Sequence, residues 1–286
     1  MNKMKSRIIF IAIICAMGFK LLATTNPQVI VALPAPLITN AADVISAGND
    51  SATIGAVMPY LVNTDPFFKQ QPTVFNPSHF TWTWTLGAAS IAKLGGGAVS
   101  VTDTIVQITM PGTTSNTNSV GVAETSMPKF GTGCTGTAAS KTVVVVSKPT
   151  FALNAAQNDT ISSCSVAVNN NIKFDFTGNG DYYIQYTIKA VAFFTNAPIG
   201  TAKTYYAKLA VGQDLNIYAD QLAEVAGVAS APVGIYSVKV NGLWDGISIR
   251  AINQATLAVT SAATSDLSIL VLPAPQTPTI KFIKRF

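Results

Sequence analysis

Few residues in this chain combine the type and spacing that chemistry requires. His79 is the only histidine, so no histidine metal cluster forms and no second imidazole is present for a proton relay. No Gly-x-Ser-x-Gly elbow accompanies it, and its place beside Pro77 reads as the entry to a strand. Asp175-Phe176-Thr177-Gly178-Asn179-Gly180-Asp181 sets oxygen-bearing side chains at alternate positions, with glycines for a turn, in the outline of a calcium loop. Thr177 stands where a carboxylate or Asn is usual, and no glutamate follows at the twelfth position. The stretch therefore reads as a glycine-rich hairpin joining strands over 172–176 and 182–187. On these grounds we assign no catalytic residue, no metal site and no cofactor, and expect a protein that is not an enzyme.

Thiols and aromatic rings offer other chemistry. Cys134 and Cys164 are candidates for a disulfide that would close a loop of about thirty residues, worth roughly 3–4 kcal/mol in the chain-entropy description. The alternative is that each is a small buried apolar residue. Trp82 and Trp84 could stack on sugar rings, but they alternate with threonine in Phe80-Thr81-Trp82-Thr83-Trp84-Thr85-Leu86 and share a face with Phe80 and Leu86. That pattern predicts a half-buried strand with both indoles toward the core. Tyr182-Tyr183 and Tyr205-Tyr206 each place one ring on either face of a strand, so at least two of these rings should be exposed.

The elements that hold these residues are strands. Lys141 to Leu153 (KTVVVVSKPTFAL) carries four consecutive valines and then Lys-Pro, which cannot continue a sheet, and reads as a buried terminal strand leaving a domain. Two more β-branched runs end in Pro-Ala-Pro, at 29–36 and 268–275. The intervals between Pro34, Pro149 and Pro273 are 115 and 124 residues, each about the length of one β-sandwich. Between them lie short apolar runs separated by turn signals such as Asn63-Thr64-Asp65-Pro66 and Gly95-Gly96-Gly97. Strands are also expected at 101–110, 120–125, 165–168, 204–209, 235–240 and 247–252. Only Asp220 to Val225 reads as a helical turn, and the scarcity of helices argues against a parallel α/β sheet.

Composition agrees with this reading. Of 286 residues, 49% are apolar and only 11% are charged, which suits a β-rich extracellular chain better than a cytosolic enzyme. Lys3, Lys5 and Arg7 precede the apolar run 8–19 in the order of a secretory signal peptide, and the run is short for a membrane span. Cys15 follows bulky Ile14, where a lipoprotein signal wants a small residue. Removing residues 1–23 takes away Lys3, Lys5, Arg7 and Lys20, leaving 14 basic against 13 acidic residues. The body thus carries no gathered basic surface of the kind that nucleic acid requires.

A resemblance becomes specific at this point. Phe80 to Trp84, then Gly95-Gly96-Gly97, Ile105-Val106-Gln107-Ile108-Thr109, and Gly133-Cys134-Thr135-Gly136 before a valine strand resemble the PKD-like, immunoglobulin-like domains of secreted Bacteroidota proteins. So do Ile161-Ser162-Ser163-Cys164, Phe174-Asp175-Phe176-Thr177-Gly178 and Ile184-Gln185-Tyr186-Thr187, which look like the opening half of a second such domain. The resemblance implies an exported protein of that phylum and carries over no catalytic residue. Such domains often hold a cysteine near both the first and the last strand, whereas here each half keeps one. Under the same resemblance, Asp50-Ser51-Ala52, Asp103-Thr104-Ile105 and Asp159-Thr160-Ile161 look like an O-glycosylation signal, with Ser51, Thr104 and Thr160 as acceptors.

The expectation is an all-β chain of two tandem antiparallel β-sandwich, immunoglobulin-like or PKD-like domains. Residues 1–23 form a signal peptide and 24–36 an N-terminal strand or linker. The first sandwich covers 37–148, the second 149–272, and 273–286 is a Pro-rich linker and basic tail. Ile280, Phe282, Ile283 and Phe286 of that tail could add as an edge strand to a partner. The function expected is that of an exported structural or adhesive module at the cell surface, secreted or in the periplasm. Its partners would be other cell-envelope proteins, a glycan or a second copy, without nucleic acid or integration into the membrane. The alternatives are a carbohydrate-binding module, or a filament or secretion-complex subunit that uses its tail as an added strand.

Overall fold

The computed structural model describes residues 26–35, 51–62, 80–112, 116–126, 134–164, 170–259 and 267–273. In chain order the first strands are β1 (Val29–Ile30), β2 (Ser51–Thr53), β3 (Val57–Leu61), β4 (Phe80–Leu86), β5 (Ser90–Lys93), β6 (Ile105–Thr109), β7 (Asn116–Ser126), β8 (Cys134–Thr135) and β9 (Ala139–Val146). There follow β10 (Thr150–Leu153), β11 (Thr160–Cys164), β12 (Asn170–Ile172), β13 (Phe174–Thr177), β14 (Tyr182–Val191), β15 (Pro198–Leu209) and β16 (Leu215–Ile217). Helix α1 (Ala219–Ala226), β17 (Gly234–Asp245), a 3-10 turn at Ser248–Arg250, the short helix α2 (Gln254–Leu257) and β18 (Leu267–Leu272) complete the order. The fold is all-β.

Two hydrophobic cores organise these strands. In the first, a sheet in the order β2-β9-β7-β4, with β8 on β7, packs against the sheet β3-β6-β5. Ala52, Val120, Val143 and Val145 of one sheet meet Met58, Val106 and Ile108 of the other. Alternation in β4 works as expected at its start, where Phe80 and Trp82 are buried, while Trp84 and Leu86 are half-buried against the core. The valine run is not buried throughout. Val143 and Val145 point inward but Val144 is 46% exposed, because the other face of this sheet meets solvent and the pleat turns every second residue outward.

The second core lies on one face of a six-stranded sheet, β1-β15-β14-β17-β18-β11. Ile184, Tyr186 and Ile188 of β14, Tyr236, Val238 and Val240 of β17 and Ile269 of β18 face it. Two small ladders, β10-β13 and β12-β16, and helix α1 cover it from the other side. The expected helical turn at 220–225 is the middle of α1. Its start is tied by the Tyr218 N–H, which donates to Gln221 Oε1 at 3.0 Å, and its end by Gly227 in the left-handed conformation, φ 72°. Strand β15 approaches α1 so closely at Gly200 (φ 62°) that a Cβ there would collide with the Val225 carbonyl oxygen.

Several expectations change. Antiparallel pairing dominates, but β2 lies parallel to β9 and β11 parallel to β18. The Gly178–Asp181 stretch is not a hairpin: β13 pairs with β10 and β14 with β15 and β17, so this turn crosses between sheets. Residues 247–252 do not form a strand. The Asp245 carboxylate, fully buried, accepts from the Ser248 N–H (2.8 Å), the Ser248 hydroxyl (2.7 Å) and the Ile247 N–H (3.3 Å), winding the chain into the 3-10 turn. The strand expected at 165–168 lies outside the described residues.

The two halves of the chain are also interleaved. Strand β1 adds to the edge of β15 in the second sheet, and Gln28 fastens it by donating to the Asp214 carbonyl (2.8 Å) and accepting from the Asn216 N–H (2.9 Å). Conversely, Ala251 and Leu257, which follow β17, are buried in the first core. The Ile252 N–H donates to the Val57 carbonyl at 2.9 Å, extending the edge of β3.

Candidate functional site

The second sheet buries one face and leaves the other open. Alternation along β14 sends Tyr182, Ile184, Tyr186 and Ile188 inward and Tyr183, Gln185, Thr187 and Lys189 outward. Strand register then sets their neighbours. Tyr183 stands beside Lys208, Gln185 beside Tyr206, Thr187 between Thr204 and Lys239, and Lys189 beside Ser237. Ser237 continues to Ser268 on β18, and Ser268 to Thr160 on β11, so a row of hydroxyls crosses the sheet from Lys189 to its edge.

This face is held in place by cross-strand bonds. Gln185 Nε2 donates to the Tyr206 hydroxyl at 3.0 Å, Thr187 and Thr204 hydroxyls meet at 3.1 Å, and Asn241 Nδ2 donates to the Thr187 hydroxyl. Lys208 pairs with Asp181 at 2.9 Å and lies 5.9 Å from the centre of the Tyr183 ring. The Asp181 hydrogen bond raises the Lys208 pKa. Two concavities open on this side. One, about 630 Å³, is lined by Asn179, Gly180, Asp181, Tyr183, Ile247 and Arg250, among others. The other, about 240 Å³, is lined by Thr187, Lys189, Ser237, Lys239 and Asn241.

The turn that bears Asp181 is fixed from below. Asp245 Oδ2 accepts the Asn179 N–H at 2.9 Å, while its Oδ1 holds the 3-10 turn, so one buried carboxylate ties both walls of the larger concavity. On the core side, Glu224 of α1 takes hydrogen bonds from Lys203 (2.7 Å) and the Tyr205 hydroxyl (3.0 Å). The Lys203 bond holds the Glu224 carboxyl below its usual range. Burial, then the bond to Glu224, pushes the Tyr205 phenol well up.

The residues singled out from sequence scatter over this frame. Cys134 on β8 is exposed and its thiol is free, while Cys164 ends β11, the edge strand of the other sheet. Trp82 is 3% exposed and its indole N–H donates to Glu124 at 3.2 Å, which removes it from any sugar platform. Of the tyrosine pairs, Tyr182 and Tyr205 are buried, while Tyr183 and Tyr206 are half-buried on the open face. The oxygens of the calcium-like stretch are not gathered: Asp175 accepts from Asn154 (2.7 Å) and Asp181 pairs with Lys208. Ser51 and Thr104 are half-buried, and Thr160 is exposed on β11. His79, Ile280, Phe282, Ile283 and Phe286 lie outside the described residues. Among the described residues, no helix is long and apolar enough to cross a membrane. The open-face residues were readable as alternate positions of a strand, but which of them meet depends on a register that the sequence does not display.

No known protein family matches the chain, and no curated protein does. Solved structures give distant likenesses. The D00-D0 domain of intimin is 12% identical over 80% of this chain and 98% of that one, with a TM-score of 0.25. Domains 5-6 of the S-layer protein SbsC are 10% identical over 79% and 95%, with a TM-score of 0.21. The Bacteroides ovatus protein SGBP-B of a mixed-linkage glucan utilization locus, in complex with a mixed-linkage heptasaccharide, is 10% identical over 70% and 49%, with a TM-score of 0.20. At such scores they carry no argument about function.

Proposed function

We propose that this protein is an exported, non-enzymatic structural or adhesive module that makes its contacts through the open face of the six-stranded sheet. The observation that supports this is the outward row of β14. Tyr183, Gln185, Thr187 and Lys189 stand on a strand whose opposite side is packed into the core, so polar and aromatic groups are presented on a rigid base. Export is supported by the basic-then-apolar pattern of residues 1–23. The PKD-like assignment and a bacterial cell-envelope setting belong to the same reading.

Protease shaving of intact native cells tests it, with size-exclusion and light scattering on the recovered protein. Cleavage by external protease, with the protein retained on cells or in large assemblies, is expected. A protease-protected periplasmic monomer would overturn the reading.

A further inference from the structure

The smaller concavity of the open face has a composition that selects a ligand. Thr187 and Lys189 of β14 and Ser237, Lys239 and Asn241 of β17 line it: two ammonium groups, two hydroxyls and one amide. Because Lys189 pairs with Ser237 and Thr187 with Lys239, the two lysines are diagonal neighbours on adjacent strands. Both are exposed. Neither forms an ion pair with a described residue, unlike Lys203 and Lys208 on the neighbouring strand β15. Two like charges held side by side repel each other, and an anion seated between them relieves that repulsion while gaining attraction from both.

The occupant follows from what surrounds the lysines. β14 and β17 are central strands, each hydrogen-bonded on both sides, so a peptide cannot add its backbone here as it can at a sheet edge. Recognition must run through side chains, and these offer hydroxyls and an amide rather than an apolar groove. Ser237, Ser268 and Thr160 carry the hydroxyl row onward from Lys189, and the half-exposed ring of Tyr206 stands beyond Thr187 on the same face. Hydroxyls and amides that match ring hydroxyls, ammonium groups that match a carboxylate, and an amphipathic ring nearby are together the complement of a carboxylated sugar.

We propose that the concavity formed by Thr187, Lys189, Ser237, Lys239 and Asn241 binds a uronic acid residue of an acidic glycan. This rests on the adhesive reading above but is tested apart from it, on purified protein, whereas that reading stands or falls on whole cells.

The test is binding of the full chain to polygalacturonate, with a neutral glucan, a sulfated dextran and polyglutamate as comparisons, at low and raised salt. Binding to polygalacturonate alone, weakened by salt, is expected. The double substitution Lys189→Gln with Lys239→Gln should weaken it about tenfold, with the circular dichroism spectrum unchanged. Ser237→Trp keeps both lysines and fills the concavity with a residue that strands accept, and it should weaken binding at least as much. Equal binding to polyglutamate or the sulfated polymer would overturn the proposal, as would binding to the neutral glucan or none at all. So would polygalacturonate affinity untouched by the lysine pair or by Ser237→Trp.

Discussion

The side-chain amide of Asn253, besides donating to the Thr256 hydroxyl at 3.0 Å, bonds the backbone around Val57, 196 residues earlier in the chain: Oδ1 accepts the Val57 N–H at 2.8 Å. Its Nδ2 donates to the Gly55 carbonyl at 3.1 Å. One side chain beyond β17 thus satisfies the turn between β2 and β3, next to where Ala251 and Leu257 enter the first core. The two halves are coupled through apolar burial and a polar clasp together.

Asn253→Ala should therefore lower stability by about 1–3 kcal/mol, because it leaves two backbone groups of the turn without a protein partner. A urea titration followed by circular dichroism measures this. Because the clasp couples the halves, the transition of the variant should be broader than that of the parent chain, or split. An unchanged midpoint would show that water replaces the amide without loss.

Asp245 offers a sharper substitution. Asp245→Asn can keep Oδ1 toward the Ser248 N–H and hydroxyl but sets an NH₂ against the Asn179 N–H, donor against donor. The expected cost is about 1–3 kcal/mol. Hydrogen exchange should locate it: the Asn179 amide loses protection while the Ser248 amide keeps it. Equal loss at both would mean that the carboxylate charge, not its geometry, holds the two turns.

The contrast between β14 and the 247–252 stretch explains how much was legible in advance. Tyr182 to Val191 alternates, follows a glycine turn and sits in the middle of a sheet, so local pattern and tertiary placement agree. Ile247, Ile249 and Ala251 alternate as well. There, however, Gly246 breaks the strand and the Asp245 carboxylate captures the next amides, an interaction that no periodicity displays. The placement of β1 on β15 was hidden for a different reason: strand partners distant in sequence are chosen by edge complementarity, here the bonds of Gln28, and not by proline spacing. The binding face lay between these cases. Its residue types were visible at alternate positions, but the meeting of Lys189 with Ser237 and of Thr187 with Lys239 is a matter of register.

Gly200 tests the fit between β15 and α1. Gly200→Ala must adopt φ 62° and drive its Cβ into the Val225 carbonyl oxygen. Backbone strain and overpacking together should cost about 3 kcal/mol or more. Gly212→Ala provides the comparison, since its φ is 79° but nothing lies within 4 Å of the added methyl, and it should cost about 1 kcal/mol. Thermal melts of the two variants should separate accordingly; equal losses would mean that α1 shifts freely to make room.

The buried tyrosines predict where the fold fails at high pH. Burial raises the phenol pKa of Tyr236 to about 12 and those of Tyr186 and Tyr205 further still, the last also through its bond to Glu224. An unfolded chain releases these protons near pH 10. Above that pH the native state holds more protons than the unfolded one, so stability falls as pH rises; below it the term is fully present and flat. Far-ultraviolet circular dichroism should thus remain constant up to about pH 10 and then collapse with rising tyrosinate absorbance, buried rings titrating only as the sheet opens. Tyr236→Phe removes one such group, and its hydroxyl bond to the Pro232 carbonyl at 2.9 Å. It should lower stability at neutral pH yet make the alkaline decline shallower. Smooth titration of every tyrosine near pH 10 with the fold intact would contradict the burial that this core requires.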